Sequence, residues 1–398
     1  MPSGARTACL LVSNIFPPAL GGSSQVYAAL ASCADGGIAV LTSSHDHQSG
    51  DERPDWKIFD RDAPYPVHRV KCVRPFLRKS GSAFGYRIQE VLIAVRLVLA
   101  VTRLALRYRA QAICIADDET VGWLTLWTQY VLKRRTLIYC HGDDLKCPPQ
   151  EIARRRRWFG VADGVVAASH YAAKLLVSEF SVSRDKITVI QNGVDLKAFQ
   201  PRVIEPQFLK QNGFEGRRLL VTVTRLVPRK GVDKVLQALP AIARKFPDLL
   251  YVIAGDGPQR QQLQEMAQTL EIAPLVRFVG AVPHSQTGDF YNAADLVLLV
   301  NREEDGEADG LPLVFLEANA CGKPVIGGKA GGTPEIVRDG ENGLLVDGRD
   351  VGEIEQAVCA LMGDDARRTS MGERALQIAR SNGWDRRAND FLAACAGR

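Results

Sequence analysis

Residues 301–333 read NREEDGEADGLPLVFLEANACGKPVIGGKAGGT, and most of what can be said about the chain starts there. Proline suits the first turn of a helix, so Pro312 places Asp309 just before a helix start and Glu317 more than one turn inside it. An apolar strand follows over 324–327. Gly331-Gly332 then turns the chain into Thr333-Pro334-Glu335, an N-cap signature. Glu317 lies in an almost wholly apolar run, LPLVFLEANAC. A carboxylate there is expected to be buried with a partner, because an isolated charge is not tolerated in an apolar interior. Ribose hydroxyls would satisfy it. Acids and bare backbone amides on one rim suit a ligand with both hydroxyls and phosphates, such as a sugar nucleotide. Glu303, Glu304, Asp305 and Glu307 are read as a solvated loop.

The same alternation extends in both directions. Apolar runs at 8–13, 38–42, 67–70, 112–115, 136–140, 164–167 and 186–190 are separated by helical stretches. Runs at 219–223, 249–254, 276–279, 296–300, 324–327 and 343–346 repeat the pattern. Strands separated by helices predict parallel sheets covered on both faces. Two such halves predict an α/β protein of two doubly wound domains. Pro201, Pro206 and Gly213 interrupt the periodicity, which places the linker near 198–213. Open parallel sheets bind ligands beyond the carboxyl ends of their strands, and every motif below follows a strand.

Composition narrows the class. With 398 residues, 46% hydrophobic and 24% charged, the chain can fill two ordinary cores. Nine cysteines without CxxC pairs or a Cys/His cluster argue for reduced thiols and against a zinc site. The start, MPSGARTACLLVSNIF, reads as a first strand and not a signal peptide, so a cytoplasmic protein is expected. The most apolar region, 88–106, contains Arg96 and Arg103, which with Arg107 share a helical face. A membrane-crossing helix needs roughly 20 apolar residues with few charges, which excludes a span here. An amphipathic domain helix and a helix lying on a membrane both remain. Residues 1–200 hold 26 Lys and Arg against 18 Asp and Glu, a net +8, and the remainder carries −3 of the total +5. A basic first half favours an anionic acceptor or an acidic leaflet at the inner face of the membrane. The densest patch, Arg154–Arg157, is read as a solvated helix face; no aromatic-plus-basic repeat supports nucleic acid.

Gly21-Gly22 follows the first strand and precedes a helix over 25–34. Glycine lets backbone approach a phosphate at a helix N-terminus, though an ordinary turn reads the same. The pattern is not GxGxxG, so a nicotinamide site is disfavoured. His141 ends a strand in HGDDL, where it can donate to a sugar hydroxyl or serve as a turn residue. Asp143 and Asp144 are acceptor ligands or a helix start. Arg225 and Lys230, in TRLVPRKGVD, can hold a diphosphate and neutralise it as it departs; Arg229 is assigned to the surface. Gly255-Asp256-Gly257-Pro258 reads as a tight turn with backbone near the ligand, and Val279 and Gly280 as backbone lining for a flat base.

Taken in order, TRLVPRKGVD, AGDGP, VRFVGAVP, YNAADLVLLV, DGLPLVFLEANACGKPVIGG, GGTPEIV and NGLLVD resemble glycosyltransferase family 4 from Thr222 to Asp347. NGVDLKAF at 192–199 is similar to that family's passage between domains. The resemblance implies a GT-B fold, two Rossmann-like domains facing across a cleft. It also implies a retaining, metal-independent transfer of a hexose from a nucleotide sugar. Arg225 and Lys230 would bind the donor diphosphate, and Glu317 the ribose. Asp309 takes the place of the first acid of the family's Glu-seven-Glu pair, against the transferred sugar. Gly331 and Gly332 match the loop near that sugar, Gly21 and Gly22 a first-domain loop facing the diphosphate, and His141 a donor-sugar contact. Catalytic candidates are therefore His141, Arg225, Lys230 and Asp309. Gly255, Val279, Gly310 and Leu311 complete the donor-binding set. Asp309 is one methylene shorter than the family's usual Glu, so the sugar sits differently or the amides of Gly310 and Leu311 contribute more. The closing stretch SNGWDRRANDFLAACA resembles a last helix that returns to the first domain. That predicts an acceptor-side domain over 1–203 plus 380–398 and a nucleotide-sugar domain over 204–379.

The expected donors are GDP-mannose or UDP-hexoses, with a lean to mannose. The expected acceptor is a hydroxyl of a lipid-linked or polysaccharide precursor, and an anionic membrane surface is a further expected partner. The sequence sets no oligomeric state. A sugar-nucleotide epimerase and a non-catalytic sugar-nucleotide sensor are the competing readings on the same fold.

Overall fold

The computed structural model describes residues 7–19, 21–46, 50–73, 83–116 and 118–398; residues 1–6, which open the stretch read as the first strand, lie outside this set, as does the Asp143 side chain. Every run read above as a strand is one, with ends shifted by a residue or so. β1 (Cys9–Val12), β2 (Ile38–Ser43), β3 (Val67–Val70), β4 (Ala112–Ile115), β5 (Arg135–Cys140), β6 (Gly164–Ala167) and β7 (Ile187–Val189) form one seven-stranded sheet in the order β3-β2-β1-β4-β5-β6-β7. β8 (Arg218–Val223), β9 (Leu249–Ala254), β10 (Val276–Gly280), β11 (Leu296–Leu299), β12 (Val325–Gly328) and β13 (Gly343–Val346) form a six-stranded sheet in the order β10-β9-β8-β11-β12-β13. All pairings are parallel. Strands such as CLLV and LLYVIA are buried throughout because helices cover both faces, which is why they read as continuous apolar runs. In each sheet the strand order reverses once, between β1 and β4 and between β8 and β11, and there the loops at the carboxyl ends diverge to leave a crevice.

The chain divides into two compact units, Met1–Asn192 with Trp384–Arg398, and Gly193–Gly383. Division falls earlier than the composition breaks at 198–213 suggest. Val194 donates its N–H to Asn382 O at 2.9 Å and bridges Gly383, and Phe199 is buried in the second unit's core, so the segment from 193 onward is bound to that unit. Pro206–Asn212 is itself a helix, opened by its proline and closed by Gly213 at φ 70°. In the first unit the Trp384–Ala396 helix packs on the Gly22–Ser32 helix, with Phe391 6.1 Å from the Tyr139 ring.

One surface assignment changes here. Arg155 in the Pro149–Val161 helix is fully buried, not solvated. Its Nε and Nη2 donate to the Asp118 carboxylate at 2.6 and 2.7 Å, and Nη1 donates to Asp144 O at 2.7 Å. Its neighbours Arg154, Arg156 and Arg157 are exposed. A helix turns one position in each turn or so toward the core, and an arginine there persists only when paired. Residues 88–106 lie in a 25-residue helix, Ala83–Arg107, as the amphipathic-helix reading expects. Leu97, Val101, Leu104 and Ala105 are buried in the first unit's core. No helix among the described residues is long and apolar enough to cross a membrane. All nine cysteines are free thiols.

Candidate functional site

The second unit's crevice is built where β8 and β11 meet. After β8 the chain runs through Thr224 and Arg225 into a short 3-10 turn, Pro228–Lys230. Gly231 follows at φ +71°; a Cβ there would lie 2.2 Å from Val300 O, so only glycine lets the turn press against the end of β11. Arg225 is exposed, and its guanidinium makes no hydrogen bond or ion pair among the described residues. Lys230 Nζ donates to Asp309 Oδ1 at 2.6 Å. Arg229, assigned to the surface from sequence, is instead part of this cluster. Its Nε lies 3.3 Å from the same oxygen and its Nη1 3.3 Å from Glu307. The pull of Asp309 explains the difference. Asp309 Oδ2 is buried and has no hydrogen-bond partner among the described residues. A buried acceptor without a donor is a place where a ligand hydroxyl gains a bond at no desolvation cost to the protein. The acidic loop is partly organised too: Glu304 pairs with Arg302 at 2.7 Å, while Glu303 and Asp305 face solvent.

The glycine turn belongs to the same cluster. A Cβ on Gly331 would lie 2.0 Å from Asp309 O, and one on Gly332 1.9 Å from Gly310 O. Gly332 N–H donates to Asp309 O at 3.0 Å. The two glycines thus exist because backbone lies on backbone, and that contact brings the turn to Asp309, Gly310 and the buried Leu311. Thr333 is not an N-cap. The helix Thr333–Ile336 is capped by Gly332 without a side-chain bond, and the Thr333 hydroxyl exchanges hydrogen bonds with the buried Asn301 amide at 2.9 and 3.1 Å. That exchange ties the segment just after β11 to the start of the Thr333–Ile336 helix. Gly255 has the same kind of cause: its Cβ would sit 1.7 Å from Thr224 O, and its N–H donates to Gly280 O at 2.7 Å. Val279 is half-buried beside it at the end of β10.

Glu317 is buried in the Leu313–Ala320 helix, as its apolar run requires. Its partners are protein groups. His284 Nε2 lies 2.9 Å from Oε1, and the Tyr291 hydroxyl donates to Oε2 at 2.7 Å. Both come from the His284–Ala293 helix, where a spacing of seven sets them on one face. Phe199 packs against both rings, 5.3 Å from His284 and 6.0 Å from Tyr291. The hydrogen bond to Glu317 holds the His284 pKa above its ordinary value, with burial opposing and Asp195 adding to the rise. Burial, then the Glu317 charge, push the Tyr291 phenol up. His284 remains partly exposed, so one edge of this triad is open to a ligand. Neither residue was singled out from sequence, although the His and Tyr seven apart after a strand end were visible there.

In the first unit, Gly21 and Gly22 are exposed at the N-terminus of the Gly22–Ser32 helix, and a Cβ on either would meet nothing within 4 Å. Tyr27 of that helix donates its hydroxyl to Ala116 O at 2.7 Å and lies 2.9 Å from His141 Nε2. A carbonyl can only accept, so His141 carries its proton on Nε2 and donates it to Tyr27. Asp144 folds the HGDDL turn by accepting the N–H groups of His141 and Gly142 at 3.0 and 2.7 Å, at the start of a short 3-10 helix, Asp143–Leu145.

Two all-parallel Rossmann-like sheets in one chain, each with its own switch point, are the architecture of the GT-B glycosyltransferases. Residues 204–378 match the model of "Glycosyl transferases group 1" and residues 39–198 that of "Glycosyltransferase Family 4". The chain is 30% identical over 395 residues, 98% of each protein, to a GDP-mannose-dependent alpha-(1-6)-phosphatidylinositol monomannoside mannosyltransferase of Mycolicibacterium smegmatis. It is 31% identical over 261 residues, 63% of this chain and 60% of the other, to a D-inositol 3-phosphate glycosyltransferase of Kribbella flavida. Among solved structures it is similar to Anabaena HepE in complex with UDP and glucose, with TM-score 0.78 over 98% of this chain and 100% of that one at 18% identity. The chain belongs to glycosyltransferase family 4, and it is a glycosyltransferase.

Proposed function

We propose that this glycosyltransferase moves mannose from GDP-mannose to a hydroxyl of a phosphatidylinositol-type glycolipid, with retention at the anomeric carbon and without a metal. The observation that carries the site assignment is the divided Asp309 carboxylate, one oxygen on Lys230 and the other buried without a donor among the described residues. The mannolipid specificity is supported by the mycobacterial relative, whose similarity runs through both units.

In this reading Asp309 Oδ2 accepts a hydrogen bond from a donor-sugar hydroxyl, next to the amides of Gly310 and Leu311. Arg225, which has no partner among the described residues, and Lys230 take the diphosphate. They stabilise the negative charge that grows as the sugar–phosphate bond loosens, the role a metal ion fills elsewhere. Glu317, oriented by His284 and Tyr291, accepts the ribose hydroxyls, with the backbone at Gly255 and Val279 beside the nucleoside. The acceptor hydroxyl attacks from the face the diphosphate leaves. A phosphate oxygen of the donor takes its proton, so no enzyme nucleophile is needed. Gly21, Gly22 and His141 are the first unit's proposed ligand contacts, and the proposed reaction takes place at the cytoplasmic face of the membrane.

The test is incubation with GDP-mannose or UDP-glucose and a phosphatidylinositol mannoside, with the anomeric configuration of the product read by NMR. An α-linked mannolipid formed equally well in EDTA is expected. A β-linked product, a requirement for added divalent metal, or transfer from UDP-glucose alone would overturn the corresponding part. Donor conversion without acceptor would mark an epimerase, and binding without turnover a sensor. Bound donor at 100 times its dissociation constant should raise stability by about 2.7 kcal/mol.

A further inference from the structure

We propose that the Ala83–Arg107 helix and the π-helical turn Trp127–Val131 together form a docking face for an anionic lipid bilayer. The helix has two distinct apolar faces. One is in the core. The other is bare: Val91 is 62% exposed and Leu99 63%, and Leu92, Val95 and Leu106 are exposed with them. Spacings of one, three, four and seven keep these residues within one stripe along the helix axis. A soluble surface helix would carry polar side chains there.

The π-helical turn widens the stripe. Trp127 Nε1 donates to Thr102 Oγ1 at 3.0 Å, which holds the turn beside the stripe's edge. Tyr130 is 66% exposed, and Val131 is exposed next to it. Amphipathic aromatic rings of this kind settle at the boundary between headgroups and acyl chains.

Charge selects the occupant. Arg96, Arg103 and Arg107 are all exposed and run along one flank of the stripe, roughly 60–100° around the helix from its centre. Lys133 is exposed just past the turn. The only acid in the helix, Glu90, lies nearly opposite the stripe. A second copy of this chain would bring the same arginine row to a symmetric contact, with no acid to answer it. Anionic headgroups above an acyl layer answer both the row and the stripe. At 25 residues the helix is about 37 Å long, enough to lie along the surface over its whole length.

The experiment is flotation of the full chain with vesicles of phosphatidylcholine alone and of phosphatidylcholine with phosphatidylglycerol. Neither holds an inositol lipid, so binding is read without turnover. The protein should float with the anionic vesicles at low salt and largely stay behind with the neutral ones. Arg96→Gln with Arg103→Gln should weaken binding roughly 25-fold, taking about fivefold for each cation near an acidic surface. Val91→Ser with Leu99→Ser should weaken it about tenfold or more through lost apolar burial. Both pairs lie on the surface, so fold and transfer to a short-chain, water-soluble acceptor should be unchanged. Wild-type protein that fails to float with anionic vesicles at low salt would overturn the proposal, as would variants that float as well as wild type. A concentration-dependent dimer abolished by Val91→Ser with Leu99→Ser, without flotation, would give the face to a second copy instead. Flotation without any mannosyl transfer would sink the proposed reaction and leave this surface standing; transfer without flotation would do the reverse.

Discussion

Lys230 Nζ lies 2.6 Å from Asp309 Oδ1, while Oδ2 of the same carboxylate is buried with no partner among the described residues. The pair is therefore half of a site. Its cation already has an anion, and its anion has one lone-pair side unused. A ligand that brings a phosphate to Lys230 and a hydroxyl to Asp309 completes both, which ties diphosphate and sugar recognition to one contact.

Arg225 and Lys230 should separate function from stability. Arg225 is exposed and has no partner among the described residues, so Arg225→Ala should change stability by no more than about 0.5 kcal/mol. Turnover should still fall, on the order of 10²–10³, if the guanidinium stabilises the departing diphosphate. Lys230→Ala should lose a comparable factor and also some stability, because among the described residues only Arg229, at 3.3 Å, then pairs with a mostly buried carboxylate. Initial rates and melting curves on the same preparations check both. A folded Lys230→Ala protein with near-normal turnover would remove the assignment.

The glycines make a second contrast. Gly332→Ala places a methyl 1.9 Å from Gly310 O, a backbone atom that cannot rotate away. A loss of more than about 2 kcal/mol is expected, with activity failing as the turn is pushed off Asp309. Gly22→Ala meets nothing within 4 Å, so stability should hold. If the Gly22 backbone is approached by a phosphate, the KM for donor should nonetheless rise several-fold. An unchanged KM would leave Gly22 as an ordinary turn residue.

These cases also indicate how much could be read from sequence. Strands announced themselves because buried parallel strands are apolar on both faces, as in LLYVIA at 249–254. Glu317 was legible as a buried acid for the same reason, since nine of the other ten residues in LPLVFLEANAC are apolar or small. Its partners were not, because His284 and Tyr291 lie 33 and 26 residues away in sequence and only the fold sets their helix against it. Arg229 and Arg155 were misjudged on common ground: a charged side chain has no local signature of burial, and its place depends on a distant acid, Asp309 or Asp118. Thr333 looked like a cap by spacing, but Asn301 competes for its hydroxyl across the sheet end.

Asp118 and Arg155 should prove structural. Both are buried, and the guanidinium grips the carboxylate through two bonds. Asp118→Asn keeps the shape but leaves a buried cation without its counter-charge, which should cost about 3–5 kcal/mol. Arg155→Met with Asp118→Leu, which removes both charges, should recover much of that loss. Urea denaturation of the three proteins tests the cycle. A mild Asp118→Asn effect would mean that Asp144 O and water already carry the arginine.

The His284–Glu317 bond makes a pH-dependent contribution with a definite sign. The Glu317 hydrogen bond holds the His284 pKa in the folded protein above its ordinary value, supported by the charges of Glu317 and Asp195 and opposed by burial. A group with a raised folded pKa adds stability that is complete below its unfolded pKa, about 6.5, and fades as pH rises through the folded value. His284→Gln should therefore lower the melting temperature most at about pH 5.5, and the gap should close toward about pH 8.5. Tyr291→Phe is the control. Its phenol stays protonated across that window, so the loss of about 1–3 kcal/mol from an unpaired Glu317 oxygen should not vary with pH. Melting curves of the three proteins across the range decide the matter. A His284→Gln gap that is constant, or that widens at alkaline pH, would show that the imidazole is not charged against Glu317.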